Sequence, residues 1–206
     1  MKTVLTIDFD IIMDSYTELY NHLEHVPWEI KLNNLVGLRE MPCNAFHYEK
    51  IMNLLFALFK LLDKEKIHFI KQHHSIFYLL DKDFKYNIIN IDHHHDWFYQ
   101  IQYDKEKNNL NCGNWVQCCY LNNLLNSYTW IKNETSIIPQ FLNNEDKNID
   151  FKEYDLKLYD LMNLPQIDEL FICFSPEYVP PYYYPLFFIM MNACSTYYNK
   201  QFNFED

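Results

Sequence analysis

The chain has 206 residues, 49% of them hydrophobic and 18% aromatic, which is enough for one well-buried core and too much for a globally disordered polymer. Its formal net charge of -11 argues against nucleic acid as a main partner, because binding phosphates calls for a basic surface. The same charge is compatible with a cationic substrate, although acidity for solubility alone is the commoner reason for it.

Residues 3–12 read as a first strand, with Val4, Leu5 and Ile7 leading into Asp8-Phe9-Asp10. A helical pattern follows over residues 15–25, and residues 27–42 are loop-like and contain Gly37, one of two glycines. The clearest helix spans residues 47–64, where Ile51, Leu54, Leu55, Leu58, Leu61 and Leu62 recur at spacings of three and four. Residues 67–70 read as a second strand that runs into Gln72-His73-His74-Ser75, with Ser75 placed to cap a short helix reaching residue 80. Another strand ends at Asp92. After a polar excursion over 104–111, residues 113–125 form a helical pattern, and 128–132 and 137–138 are weaker strand candidates. Residues 143–160 are charged and read as surface. Residues 169–174 form a buried strand ending at Ser175-Pro176-Glu177, and a last helix fills 185–198. Strands alternating with helices predict a single α/β domain over residues 1–206, with a mostly parallel sheet between two helical layers.

No run of about 18 apolar residues marks a membrane span. Cys43, Cys112, Cys118, Cys119, Cys173 and Cys194 form no C-x-x-C pair, and Asp8 and Asp10 interrupt the N-terminal apolar stretch before a signal peptide develops. A reduced, cytoplasmic protein is expected.

The most informative stretch is Asp92-His93-His94-His95-Asp96, a run of metal-grade ligands at the end of a β-type apolar segment. If the strand continued, Asp92, His94 and Asp96 would share one face, with His93 and His95 turned away. Two carboxylates and an imidazole at a strand end suit Mn²⁺, Fe²⁺ or Zn²⁺. Polar chemistry also ends three other strands, at Asp8/Asp10, His73/His74 and Ser175/Glu177. In open α/β sheets, sites gather beyond the carboxyl ends of the strands, so these elements are expected to converge.

These residues resemble the superfamily of arginases, agmatinases and histone deacetylases. Gln72-His73-His74-Ser75 resembles the Gly-Gly-Asp-His-Ser element of arginases, and Asp92-His93-His94-His95-Asp96 their Asp-x-His-x-Asp element. Cys112-Gly113-Asn114-Trp115 is similar to their His-Gly element, and the segment from Cys173 to Pro181 to their last aspartate motif. The resemblance implies His74, Asp92, His94, Asp96 and Glu177 as metal ligands. It departs at Cys112, which stands where arginases have a catalytic histidine, and at Ser175, which replaces an aspartate. An N-terminal carboxylate is expected to complete the set. Asp10 is taken as that ligand and Asp8 as a partner for a substrate guanidinium, with the reverse assignment left open.

Asp8-Phe9-Asp10, the D-H-H-H-D run, Gly113-Asn114-Trp115-Val116 and Ser175-Pro176-Glu177 followed by Pro180-Pro181 look closest to a divergent arginase-like family that includes the peptide arginases. Those enzymes convert arginine side chains in ribosomally made precursor peptides to ornithine during peptide maturation. The resemblance therefore implies an arginase-like fold, two Mn²⁺ ions with Fe²⁺ or Zn²⁺ as alternatives, and an arginine-containing peptide as partner. Asp92 would bridge the ions, Asp96 would accept and return the proton, and Asn114 and Cys112 would face the substrate. Tyr182-Tyr183-Tyr184 after Pro180-Pro181 could line a groove for an extended peptide, although core or rim packing is the commoner role of such aromatics.

Two other readings compete. DHH-type phosphoesterases resemble Asp8-Phe9-Asp10 with Ser15, and Asp92-His93-His94, but they expect a glycine-rich phosphate loop that Gly37 and Gly113 cannot make. A metal-stabilised binding module without catalysis is motivated by Cys112 and Ser175.

Overall fold

The computed structural model describes residues 1–13, 43–97, 102–136 and 149–205. The helix expected over 15–25, the loop over 27–42 and the strand candidate at 137–138 lie outside these residues.

A seven-stranded, all-parallel sheet organises the chain. Its strands are β1 (Lys2–Asp8), β2 (Ile67–Ile70), β3 (Tyr86–Ile91), β4 (Leu125–Lys132), β5 (Asp150–Asp155), β6 (Glu169–Cys173) and β7 (Phe204–Glu205), in the order β5-β4-β3-β1-β6-β2-β7. All five residues of β6 are buried, the continuous apolar run expected of a parallel strand covered on both faces. β1 is central, paired with β3 on one side and β6 on the other.

Among the described residues four helices cover the sheet: α1 (Ala45–Leu58), α2 (Ser75–Leu79), α3 (Trp115–Leu121) and α4 (Tyr184–Tyr198). Ile51, Leu54, Leu55 and Leu58 of α1, with Phe187, Met190 and Cys194 of α4, pack on Leu5, Ile7, Ile89, Ile91, Leu170 and Ile172. Ile76 of α2 and Trp115, Val116 and Cys119 of α3 pack on Val4, Ile88, Phe171 and Cys173. These are alternate residues of the same strands, so the two cores lie on opposite faces, giving a three-layer α/β domain. Asn44 caps α1 by accepting from the His47 N–H at 3.1 Å. The last helix ends on Asn199 in the left-handed region, at φ 48.

The helix expected over 47–64 starts and ends earlier, and the one over 113–125 contracts to α3. The first strand stops at Asp8, where Phe9–Ile12 turn into a 3-10 helix. Ser75 is the first residue of α2, and His74 takes the cap position instead. Within the expected surface region 143–160, β5 forms an edge strand whose residues are half-buried or exposed. No helix among the described residues is long and apolar enough to cross a membrane. All six cysteines are free thiols.

Because every strand runs the same way, the carboxyl ends of β1, β2, β3 and β6 share one edge of the sheet. That edge carries the polar residues.

Candidate metal centre

Alternation along the central strands prepares the site. Val4, Ile88, Phe171 and Cys173 face α2 and α3, and Thr6, Asp8 and Asn90 follow at alternate positions. Thr6 and Asn90 are register partners, and Asp8 pairs with Cys173. All four side chains are buried, so this lane is polar inside an apolar sheet.

Beyond the strands, short turns deliver the remaining groups. Asp10 lies in the 3-10 turn Phe9–Ile12, and its N–H donates to Asp8 Oδ1 at 3.3 Å. Asn133, buried after β4, holds that turn through Nδ2 contacts of 2.9 Å to the Ile11 carbonyl and 2.8 Å to the Met13 carbonyl. After β3 the chain bends at Asp92, whose Oδ1 accepts from the His94 N–H at 2.9 Å. Asn90 Nδ2 donates to Asp92 Oδ2 at 3.1 Å, and the Trp130 indole N–H donates to the Asp92 carbonyl at 2.9 Å. Asp96 follows with φ 49, a left-handed conformation that costs a non-glycine residue energy. Strand alternation therefore ends at Ile91, and a turn gathers the ligands instead.

Two donor sets result. The ligand atoms of Asp8, His73 and Asp92 lie within 4.8 Å of one another, and so do those of Asp10, Asp92 and His94. Asp92 belongs to both. His73 Nδ1 is 3.2 Å from Asp8 Oδ2, 3.1 Å from Asp92 Oδ2 and 2.8 Å from Asp96 Oδ2. Its other nitrogen, Nε2, is hydrogen-bonded to Thr6 Oγ1. His94 Nδ1 is 3.1 Å from Asp10 Oδ2 and 3.9 Å from Asp92 Oδ1. All of these side chains are buried except His94, whose side chain is 12% exposed.

Burial out of water and the neighbouring carboxylates raise the proton affinity of Asp8 and Asp92. Burial, with Asp96 and Asp8 nearby, pushes the Asp92 carboxyl up to about 7 against the pull of His73. Burial and Asp10 raise Asp8, opposed by His73 and Ser175. Burial alone would lower His73, but Asp8, Asp92 and Asp96 carry it well above the usual imidazole range. His94 is likewise opposed by burial and raised to about 9 by Asp10, Asp92 and Asp96. Burial and His94 hold His95 down to about 3, and burial, His94 and His47 lower His93. The last two rings therefore stay neutral.

This cluster could hold a metal ion. His73 Nδ1 approaches three carboxylate oxygens yet is aligned for a hydrogen bond with none of them. Once deprotonated, Nδ1 would aim its lone pair into the carboxylate nest while the opposite ring nitrogen stays anchored on Thr6, as in a metal-ligating histidine. Positive charge is wanted there, and in the metal-free protein the two imidazoles supply it as protons.

The sequence-derived ligands divide. Asp10, Asp92 and His94 form one donor set, and Asp8, expected at the substrate, sits in the other. Asp96 approaches His73 and receives the Trp115 indole N–H at 2.6 Å. His74 and Glu177 are in neither set. His74 is half-buried at the start of α2, where burial and His73 lower its pKa and Glu177 raises it. Glu177 accepts from Gln72 Nε2 at 3.3 Å at the surface. The structure thus gives His73 the place that the motif match gave His74, because the turn after Ile70 points the first of the two inward.

Ser175 also matters. Its Oγ donates to Asp8 Oδ2 at 2.7 Å, and its backbone has φ 45. Asn114 is buried and braces its own loop, accepting from Asn111 N at 2.8 Å and donating to the Asn109 carbonyl at 3.1 Å. Cys112 lies at the mouth of the site. A narrow opening lined by Asp8, His94, Asp96, Cys112, Gly113 and Tyr178 leads to the cluster, with about 10 Å³ of space, roughly one water.

Thr6 and Asn90 are not singled out by the sequence, whereas His73 stands with His74 at a polar strand end and Trp115 with Asn114 in the glycine element. A polar residue inside an otherwise apolar parallel strand was the available signal for the first two.

The chain matches no protein-family model, no curated protein and no solved structure.

Proposed function

We propose that this protein is a metal-dependent hydrolase that converts an arginine side chain in a peptide to ornithine, releasing urea. The observation that carries the hydrolase reading is the sharing of Asp92 between two buried donor sets, Asp8–His73–Asp92 and Asp10–Asp92–His94. These residues would hold two divalent ions. Carboxylate-rich ligation with two imidazoles favours Mn²⁺, with Fe²⁺ and Zn²⁺ as alternatives. When bound, such ions lower the pKa of a water toward neutrality and supply the nucleophile that a resonance-stabilised guanidinium carbon requires.

The chain's own residues account for the rest. Thr6 and Asn90 orient His73 and Asp92 from beneath. Asp96 lines the opening and is placed to take a proton from the attacking water and return it to the leaving nitrogen. Water adds to the guanidinium carbon, the bond to the chain nitrogen breaks, and that nitrogen leaves protonated as the ornithine ammonium while the carbon departs as urea. The buried carboxylates favour a cationic group, and among the described residues no lysine or arginine lines the opening. The choice of arginine and of a peptide rests on the motif resemblance to the peptide arginases.

A DHH-type phosphoesterase is the second reading, favoured by the entry of both Asp8 and Asp10 into the donor sets alongside Asp92 and His94. Among the described residues the opening is lined by carboxylates and no lysine or arginine, which counts against an anionic phosphodiester. Mn²⁺-loaded protein incubated with arginine-containing peptides, read by peptide mass spectrometry and a urea assay, separates the two. Ornithine with stoichiometric urea is expected, whereas intact peptides together with turnover of a phosphodiester would replace this proposal by the second reading.

A further inference from the structure

The opening to the metal cluster is bounded on two sides by residues from different turns. Tyr178 forms one wall. It is buried, with its ring 5.3 Å from that of His94, and it hangs from the turn begun by Ser175, whose carbonyl accepts the Tyr178 N–H at 3.0 Å. Cys112 forms the other, on a turn where Asn111 Oδ1 accepts from Gly113 N at 2.9 Å. The Tyr178 hydroxyl and the Cys112 thiol meet at 3.3 Å across the mouth.

Each wall is tied to a cluster carboxylate. Ser175 bonds Asp8 on the Tyr178 side, and on the Cys112 side Trp115 bonds Asp96. A contact between a neutral hydroxyl and a thiol is weak, so it can be exchanged at the mouth while the turns on either side stay anchored. The opening itself holds about one water, and a hydrated divalent ion or a guanidinium is wider than that.

We infer that Tyr178 and Cys112 form an aperture that must part for entry and that sets the width of what reaches the cluster. This rests on the reading of the cluster as a metallohydrolase site. The substrate class it admits is a slender, unbranched side chain with a planar cationic end, because such a group passes edgewise between the thiol and the ring and can then lie against the aromatic face. Tyr178 is thus a specificity-determining residue, and Cys112 acts through the same contact.

Ion capture tests the aperture without reference to hydrolysis. Metal-free protein is mixed with Mn²⁺ alone, and the ion is later extracted with excess chelator, both rates being followed in wild type, Tyr178→Ala and Cys112→Ala. Parting the walls should accelerate capture and release together by about tenfold or more at unchanged affinity, as removal of a gate does. Cys112→Ala, which opens the mouth from a half-exposed position, keeps the test valid if Tyr178→Ala fails to fold. Unchanged rates in the folded variants, or a changed affinity with unchanged capture, would overturn the aperture and leave the metal reading standing. Wild-type protein that captures no Mn²⁺ would overturn both.

Discussion

The indole N–H of Trp115 donates to Asp96 Oδ2 at 2.6 Å, and the same oxygen lies 2.8 Å from His73 Nδ1. A tryptophan from the start of α3 therefore fixes the carboxylate that closes the cluster from above, while the Val116 N–H holds the Asp96 carbonyl at 3.1 Å. Trp115→Phe keeps the apolar bulk and deletes the donor. It should cost about 1–3 kcal/mol of stability, because a buried acceptor loses its partner. Metal affinity should fall by about tenfold or more, as it does when a residue supporting a ligand is lost. Urea denaturation and Mn²⁺ titration of the same variant check both.

The two adjacent histidines after β2 should behave differently. His73→Ala removes the imidazole of one donor set and should abolish ion binding there together with hydrolysis. His74→Ala removes a half-buried ring outside both sets and should retain ion binding. Calorimetric titration with Mn²⁺ distinguishes them, and the opposite pattern would restore the ligand set implied by the motif match.

Ser175 combines a hydrogen bond to Asp8 with a left-handed backbone at φ 45. Alanine and glycine both delete the bond, but only glycine relieves the backbone. Ser175→Gly should therefore be more stable than Ser175→Ala by about 1 kcal/mol. Chemical denaturation midpoints of the two variants give the comparison directly.

Proton linkage has a definite sign in the metal-free protein. His94 rises from an ordinary 6.5 to about 9 on folding, so the stability it contributes is complete below 6.5 and lost as pH rises through about 9. Asp92 rises from 3.8 to about 7, so its destabilising charge is absent below 3.8 and fully present above about 7. In both cases the native state binds more protons than the unfolded one, and metal-free stability should decline from about pH 4 to 7 through Asp92 and on to about 9 through His94. Bound divalent ions displace those protons, so apparent Mn²⁺ affinity should rise with pH and binding should release protons into the buffer. Thermal melts with and without Mn²⁺ across that range, and calorimetry in buffers of different ionisation enthalpy, test the two statements.

Much of the sheet was legible because parallel strands buried on both faces are apolar runs: β2, β3 and β6 fall close to where the sequence places them. β5 was not, since an edge strand such as Asp150–Asp155 carries little apolar pattern, and neither was the two-residue β7. The convergence of Asp8, Asp10, Asp92 and His94 followed from four strand ends meeting at one edge. Which of His73 and His74 turns inward did not, because that is decided by a bend after Ile70 and not by strand alternation. Glu177 went the same way: the Ser175 turn directs its neighbour Tyr178 inward and leaves Glu177 with Gln72 at the rim. The roles of Trp115 and Thr6 depend on long-range contacts that local pattern does not carry.

The central claim is that Asp92 serves two donor sets at once. Elemental analysis of Mn²⁺ bound per chain after saturation and desalting tests it most directly, in wild type, His73→Ala and Asp92→Ala. Two ions are expected in wild type, one in His73→Ala, where Asp10, Asp92 and His94 remain, and none in Asp92→Ala. A single ion in wild type, or full occupancy without Asp92, would contradict it.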